Sequence, residues 1–117
     1  MKNNVLKEKS YAFALRTIKL FQYLIGEHKE YVLSKQILRS GTSIGANVEE
    51  AFQGESRSDF IHKLAIANKE AFETHYWLRL LRDSKFLTTK QAESLLEECD
   101  ELQRMLVSAI KTSKTKK

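Results

Sequence analysis

Apolar residues recur along this chain at alternating spacings of three and four, the mark of helices that bury one face. The first such stretch covers about residues 10–27. Phe13, Thr17, Leu20 and Leu24 fall on one line, with Ala14, Ile18, Phe21 and Ile25 beside it. Together they predict an apolar face covering about half the helix circumference. A second stretch, about residues 31–53, carries Leu33, Ile37, Ser40/Gly41, Ile44, Val48 and Ala51/Phe52 at the same spacing. A third, about residues 58–83, carries Phe60, Leu64, Ala67, Ala71, Leu78 and Leu81/Arg82. The fourth opens at Thr88-Thr89 and carries Leu95, Cys99, Leu102, Leu106 and Ala109/Ile110.

The ends of these stretches hold cap residues. Gly26 and Gly54 are placed as C-terminal caps. Ser56 or Ser58 can cap the third helix, and Asp59 suits its first turn. Thr88 and Gln91 fit a capping box, in which each side chain takes up an orphan amide of the other. The gaps are short, about residues 26–30, 54–57 and 84–87. Short links between long helices force antiparallel neighbours. The expected fold is therefore all-α: an antiparallel up-down-up-down four-helix bundle, one domain over residues 1–117. Residues 1–9 and 111–117 are expected to be frayed or extended ends.

Composition agrees with that pattern. The chain has no proline, so nothing in it breaks a helix by removing a donor. Its 117 residues suffice for a core without staples. Cys99 is the lone cysteine and has no internal partner, which fits a reducing compartment. No apolar run approaches the roughly 20 residues of a membrane span, and the first residues do not form a secretory leader. A cytoplasmic protein with no membrane association is expected.

Charge is uneven within a net +5. Residues 1–41 hold eight Lys/Arg against three Asp/Glu, whereas residues 42–84 hold five against seven. Residues 111–117 add four lysines and no acid. Such a tail serves as a solubilising end or as a contact for a polyanion.

Two features exceed what a lone bundle needs. On the third helix a second apolar line, Ile61, Ala65, Phe72 and Tyr76, lies about 120° from the core line. With Trp77 and Leu80 it predicts an exposed patch unless something covers it. The cover is either the N-terminal segment or another subunit, and the prevalence of self-assembly points to the second. The other feature is the run Ser40-Gly41-Thr42-Ser43-Ile44-Gly45-Ala46-Asn47. Each glycine costs a helix about 1 kcal/mol against alanine, so a structural reason is expected. Gly41 and Gly45 share a face and would let another helix come close. A phosphate-binding turn is the competing use, but the Lys-Ser/Thr of a P-loop is missing.

The segment Leu38-Arg39-Ser40-Gly41-Thr42-Ser43-Ile44-Gly45-Ala46-Asn47-Val48-Glu49-Glu50-Ala51 is the most distinctive. With Ser58-Asp59-Phe60 and the stretch from Ala67 through Ala71 and Glu73-Thr74 to Tyr76-Trp77-Leu78, it strongly resembles a bacterial four-helix-bundle family. That family is encoded in intervening sequences of the 23S rRNA gene and is often labelled ribosomal-protein-like. The resemblance runs from about Lys9 to about Ile110. It implies a homopentamer, with bundles arranged as a barrel around a pore. It also implies kinship with basic, nucleic-acid-binding accessory proteins of reverse transcriptases in diversity-generating retroelements. A reverse transcriptase or another protein is thus one expected partner. No catalytic activity is implied.

Site chemistry points the same way. Di-iron bundles need a Glu-x-x-His on each of two helices, and Asp59-Phe60-Ile61-His62 is the nearest approach. No metal, cofactor or catalytic residue is expected. His75 reads as a hydrogen-bonded interface residue and Cys99 as a small hydrophobe. Asn47, Glu49, Glu50, Asn68 and Glu70 read as polar and ionic ties between helices or subunits, with a recognition surface as the sharper alternative. Nucleic-acid candidates are Lys2, Lys7, Lys9, Arg16 and Lys19 with Lys111, Lys114, Lys116 and Lys117. In an up-down bundle the first helix starts near where the fourth ends, which would let those two groups merge. Binding there would be salt-sensitive and indifferent to sequence. Two readings follow: an oligomer that binds RNA or DNA, or an oligomeric protein-interaction scaffold.

Overall fold

A computed structural model describes residues 2–115, with side chains from Val5 onward. Lys116 and Lys117, and the Lys2 side chain, lie outside the described residues. Four helices make up the described residues: α1 (Lys2–Glu27), α2 (Leu33–Ala51), α3 (Arg57–Asp83) and α4 (Thr89–Thr115). They form the antiparallel up-down-up-down bundle, about 50 Å long and 21 Å across. Each helix packs on two neighbours, and α1–α4 is the sparsest of the four seams. The diagonal pairs, α1 with α3 and α2 with α4, do not approach.

The helix α1 starts eight residues before the expected position, and α4 continues to Thr115. Leu6 (4% exposed) and the fully buried Ser10 extend the Phe13–Thr17–Leu20–Leu24 line by two turns. The charged run Lys7-Glu8-Lys9 hides that continuation from a hydropathy reading. Ile18, expected within the apolar face, points outward and is 39% exposed, while Phe21 and Ile25 are half-buried. The buried arc of α1 is therefore narrower than its apolar arc.

The cap assignments divide. Thr88 and Gln91 form the reciprocal box: the Thr88 amide donates to Gln91 Oε1 at 2.9 Å, and the Gln91 amide to Thr88 Oγ1 at 3.1 Å. Ser56 caps α3 by accepting from the Asp59 amide. Gly26 is no cap, for it lies inside α1. Among the described residues the left-handed ones are two lysines, Lys29 (φ 53°) and Lys85 (φ 70°). At Lys85 the amides of Phe86 and Lys85 donate to the carbonyls of Leu81 and Arg82, a Schellman ending to α3. At α2, Glu30 accepts from the amides of Val32, Leu33 and Ser34, taking up three orphan donors at once. Burial pushes this carboxyl upward, but those amide bonds outweigh it and its pKa lies below the ordinary glutamate range.

The two glycines of α2 do bring a helix close. An ideal Cβ on Gly41 would stand 2.6 Å from Thr17 Oγ1 and Cγ2, and one on Gly45 would stand 3.2 Å from the Ser10 carbonyl oxygen. Between α2 and α3, buried Thr74 donates to Ser40 Oγ at 2.8 Å. Ser40, Gly41 and Gly45 are thus explained by close packing of α2 on its two neighbours. Helix faces of this kind exchange helix propensity for dispersion contacts.

Candidate functional site

The outward line of α3 sits where the helical period places it. Phe72 is 72% exposed and Tyr76 47% exposed, with Ala65 also open to solvent. Arg79 stacks over the Tyr76 ring at 5.7 Å. Three residues expected on this patch lie partly inside instead. Ile61, Trp77 and Leu80 are half-buried, and Trp77 packs against the core. The reason for Trp77 is polar. Its Nε1 donates to Glu73 Oε2 at 2.9 Å, and Glu73 is held by Arg39 of α2. Arg39 also reaches Glu70 at 3.2 Å. The Arg39 hydrogen bond, and after it the Trp77 bond, lower the Glu73 pKa against the opposing effect of burial. This cluster turns the indole toward α2 and leaves Phe72 and Tyr76 as the exposed aromatics of the strip. The N-terminal segment cannot cover them, because from Lys2 on it is part of α1, diagonal to α3.

The basic candidates separate into two kinds. Lys7 faces Glu49 at 3.8 Å and stands over the Phe52 ring at 5.7 Å; Lys9 pairs with Glu101 at 3.2 Å. Arg16 pairs with Glu98 at 2.6 Å and also donates to Ser94 Oγ. Each of these three cations has a carboxylate beside it. Lys19, Lys111 and Lys114 are exposed and make no ion pair among the described residues. The antiparallel register sets Lys9 beside Glu101, so Lys111 and Lys114 lie at the end of the bundle where α1 begins. Arg16 and Lys19 lie farther along, lining a shallow groove of about 280 Å³ between α1 and α4 with Leu20, Tyr23 and Gln91. The candidates therefore do not form one patch.

Over residues 2–108 the sequence matches the family described as 23S rRNA-intervening sequence protein. The chain belongs to this family. A solved structure of a protein of unknown function from the S23 ribosomal protein family of Bacteroides thetaiotaomicron VPI-5482 is similar throughout, at 55% identity and a TM-score of 0.93. The match covers 95% of this chain and 99% of that one. No curated protein matches. Within the family's fold, the three carboxylates of this chain's polar set are tied internally. Glu50 pairs with Lys63 at 2.8 Å, Glu49 with Lys7, and Glu70 with Arg39. Asn47 bonds within its own helix, to the Ser43 carbonyl, and the buried Asn68 Oδ1 has no hydrogen-bond partner.

The titratable groups of this family member are dispersed. His75 faces Asp100 at 3.2 Å across α3–α4, and His28 meets Tyr23 at 3.2 Å near the far end. Cys99 is fully buried and donates its thiol to the Ala71 carbonyl at 3.2 Å. Burial pushes that thiol up to about 12, far from thiolate reactivity. Among the described residues, no three of His, Cys, Asp and Glu converge as metal ligands, and no helix is long and apolar enough to cross a membrane.

Proposed function

We propose that this protein is a non-catalytic, cytoplasmic, self-assembling bundle whose basic end binds RNA or DNA. The observation that carries the assembly is the outward strip of α3, where Phe72 and Tyr76 stand in solvent beside a well-filled core. An exposed aromatic strip is characteristic of an interface. The homopentamer implied by the family resemblance gives it an occupant. The bound, unreactive Cys99 thiol and the separated histidines support a non-catalytic role.

Nucleic-acid binding rests on Lys111 and Lys114, which carry no acid partner among the described residues. Each copy in an assembly would add such an end, and phosphate contacts add up through counterion release. The carboxylates beside Lys7, Lys9 and Arg16 favour the second reading, a protein-interaction scaffold with solvated ends. A salt titration of RNA and DNA binding separates the two. The first requires micromolar or tighter affinity at low salt, with a steep loss as salt rises. It also requires weakening when residues 111–117 are removed. Affinity no better than millimolar, unchanged by that truncation, leaves the scaffold.

A further inference from the structure

The strip on α3 has a counterpart that the core pattern conceals. Tyr11, Leu15 and Ile18 are 63%, 49% and 39% exposed, and they fall on the outward side of α1 at spacings of four and three. No residue of the bundle covers them. Because α1 and α3 occupy opposite corners, the two strips point away from each other. One cannot fold over to cover the other within a single chain.

The strips stand at the same level along the bundle, by two routes. Through α2, Thr17 abuts Gly41, and the adjacent Ser40 bonds Thr74. Through α4, Arg16 pairs with Glu98, the next residue Cys99 bonds Ala71, and Asp100 faces His75. Both routes set residues 15–18 of α1 level with residues 71–75 of α3. Leu15 and Ile18 are thus level with Phe72 and Tyr76. The two helices also run in the same direction, as alternate members of an up-down bundle.

Resting on the self-assembly proposed above, we infer that the outward face of α1 is the docking surface for the α3 strip of a second copy. Tyr11, Leu15 and Ile18 receive Phe72 and Tyr76. The contact is heterologous: each chain gives one face and receives on the other. Equal level and parallel helices remove any rise from copy to copy. A row without rise closes into a ring only where successive copies are also rotated about an axis along the bundles; faces pointing directly apart give an open row.

Two exposed substitutions test this, Leu15→Asp and Phe72→Asp, with light scattering on the full chain and circular dichroism to confirm helix content. Wild type forms an oligomer at micromolar concentration. Each variant alone falls to monomer, with association at least tenfold weaker. An equimolar mixture of the two then gives a species of two chains, because the intact α3 strip of one meets the intact α1 face of the other. If Leu15→Asp assembles as wild type does, the α1 face is not the partner, and the inference falls while self-assembly stands. A mixture that stays monomeric overturns it as well. A monomeric wild type removes both readings, and loss of RNA binding in Phe72→Asp would then assign the strip to stacked bases.

Discussion

Replacing Gly41 by alanine places one methyl group at the tightest contact between α1 and α2. On helix propensity alone this should stabilise the protein by about 1 kcal/mol. The new Cβ, however, would lie 2.6 Å from both branches of Thr17 and 3.1 Å from its Cβ. Comfortable carbon contacts begin near 3.5 Å, so the overlap is about 1 Å. Thr17 has little freedom to yield. It is 1% exposed, its β-branched side chain is stiff, and its hydroxyl donates to the Phe13 carbonyl at 2.9 Å. Relief therefore needs the helices to part, and overpacking of this kind costs about 1–3 kcal/mol. Set against the propensity gain and weighted to the rigid end of that range, the net loss is about 1–2 kcal/mol.

Urea unfolding followed by circular dichroism reads that loss directly. With a slope of about 1–3 kcal/mol/M, the midpoint should fall by roughly 0.3–2 M. Chain concentration must be held fixed, since assembly shifts apparent stability. The companion variant is Thr17→Ala, which alone loses a buried hydrogen bond and leaves a small void. Combined with Gly41→Ala it should be more stable than the sum of the two losses by at least about 1 kcal/mol, because the methyl then enters vacated space. Gly45→Ala meets a backbone oxygen at 3.2 Å and should cost less than Gly41→Ala. If Gly41→Ala equals or exceeds wild type in stability, the glycine is not there for helix contact.

Other outcomes follow from the same contacts. Gly26→Ala, with nothing within 4 Å of the added Cβ, should stabilise the protein by about 0.5–1 kcal/mol in the same urea assay. Thr74→Val removes the buried bond to Ser40 and strands that hydroxyl, a loss of about 1–3 kcal/mol that the further change Ser40→Ala should partly recover. The Glu30 and Glu73 carboxyls are held below the ordinary value of about 4.3 in the fold. Their contribution is full above that value and is lost as pH falls through the lowered folded values, so Glu30→Ala should flatten the acid limb of a stability–pH curve. Cys99 should react with a thiol reagent only as fast as the bundle opens, and promptly in urea.

Much of this bundle was legible in the sequence because a helix period of 3.6 fixes which residues share a face. The core lines through Leu64–Ala71–Leu78 and Leu95–Cys99–Leu102–Leu106 are buried as expected. So is the reason for Gly41 and Gly45. Periodicity finds a face but not its neighbours, and α1 shows the consequence. Its apolar residues form one arc by sequence, yet the middle of that arc faces the core and its edge at Ile18 faces solvent. Tyr11 and Leu15 belong to that same outer edge, and no sequence feature separates them from ordinary scattered surface apolars. Their meaning depends on α3 being diagonal and level, which is a property of the packed bundle.

Charge and caps fail for a related reason: they depend on partners distant in sequence. Lys7, Lys9 and Arg16 look like a free basic stripe until Glu49, Glu101 and Glu98 arrive from α2 and α4. Trp77 looks more interfacial than Tyr76, being larger and adjacent. A step of one residue is 100° on a helix, so the two rings cannot share an exposed face equally. Which ring turns inward is decided by Glu73, and Glu73 is held by Arg39, 34 residues earlier in the chain. Arg39 thus contributes to the exposed strip from another helix. Loss of its side chain should free the indole and blur the boundary between the α3 strip and the α2–α3 seam. Arg39→Ala is accordingly expected to weaken self-assembly without touching any exposed apolar residue.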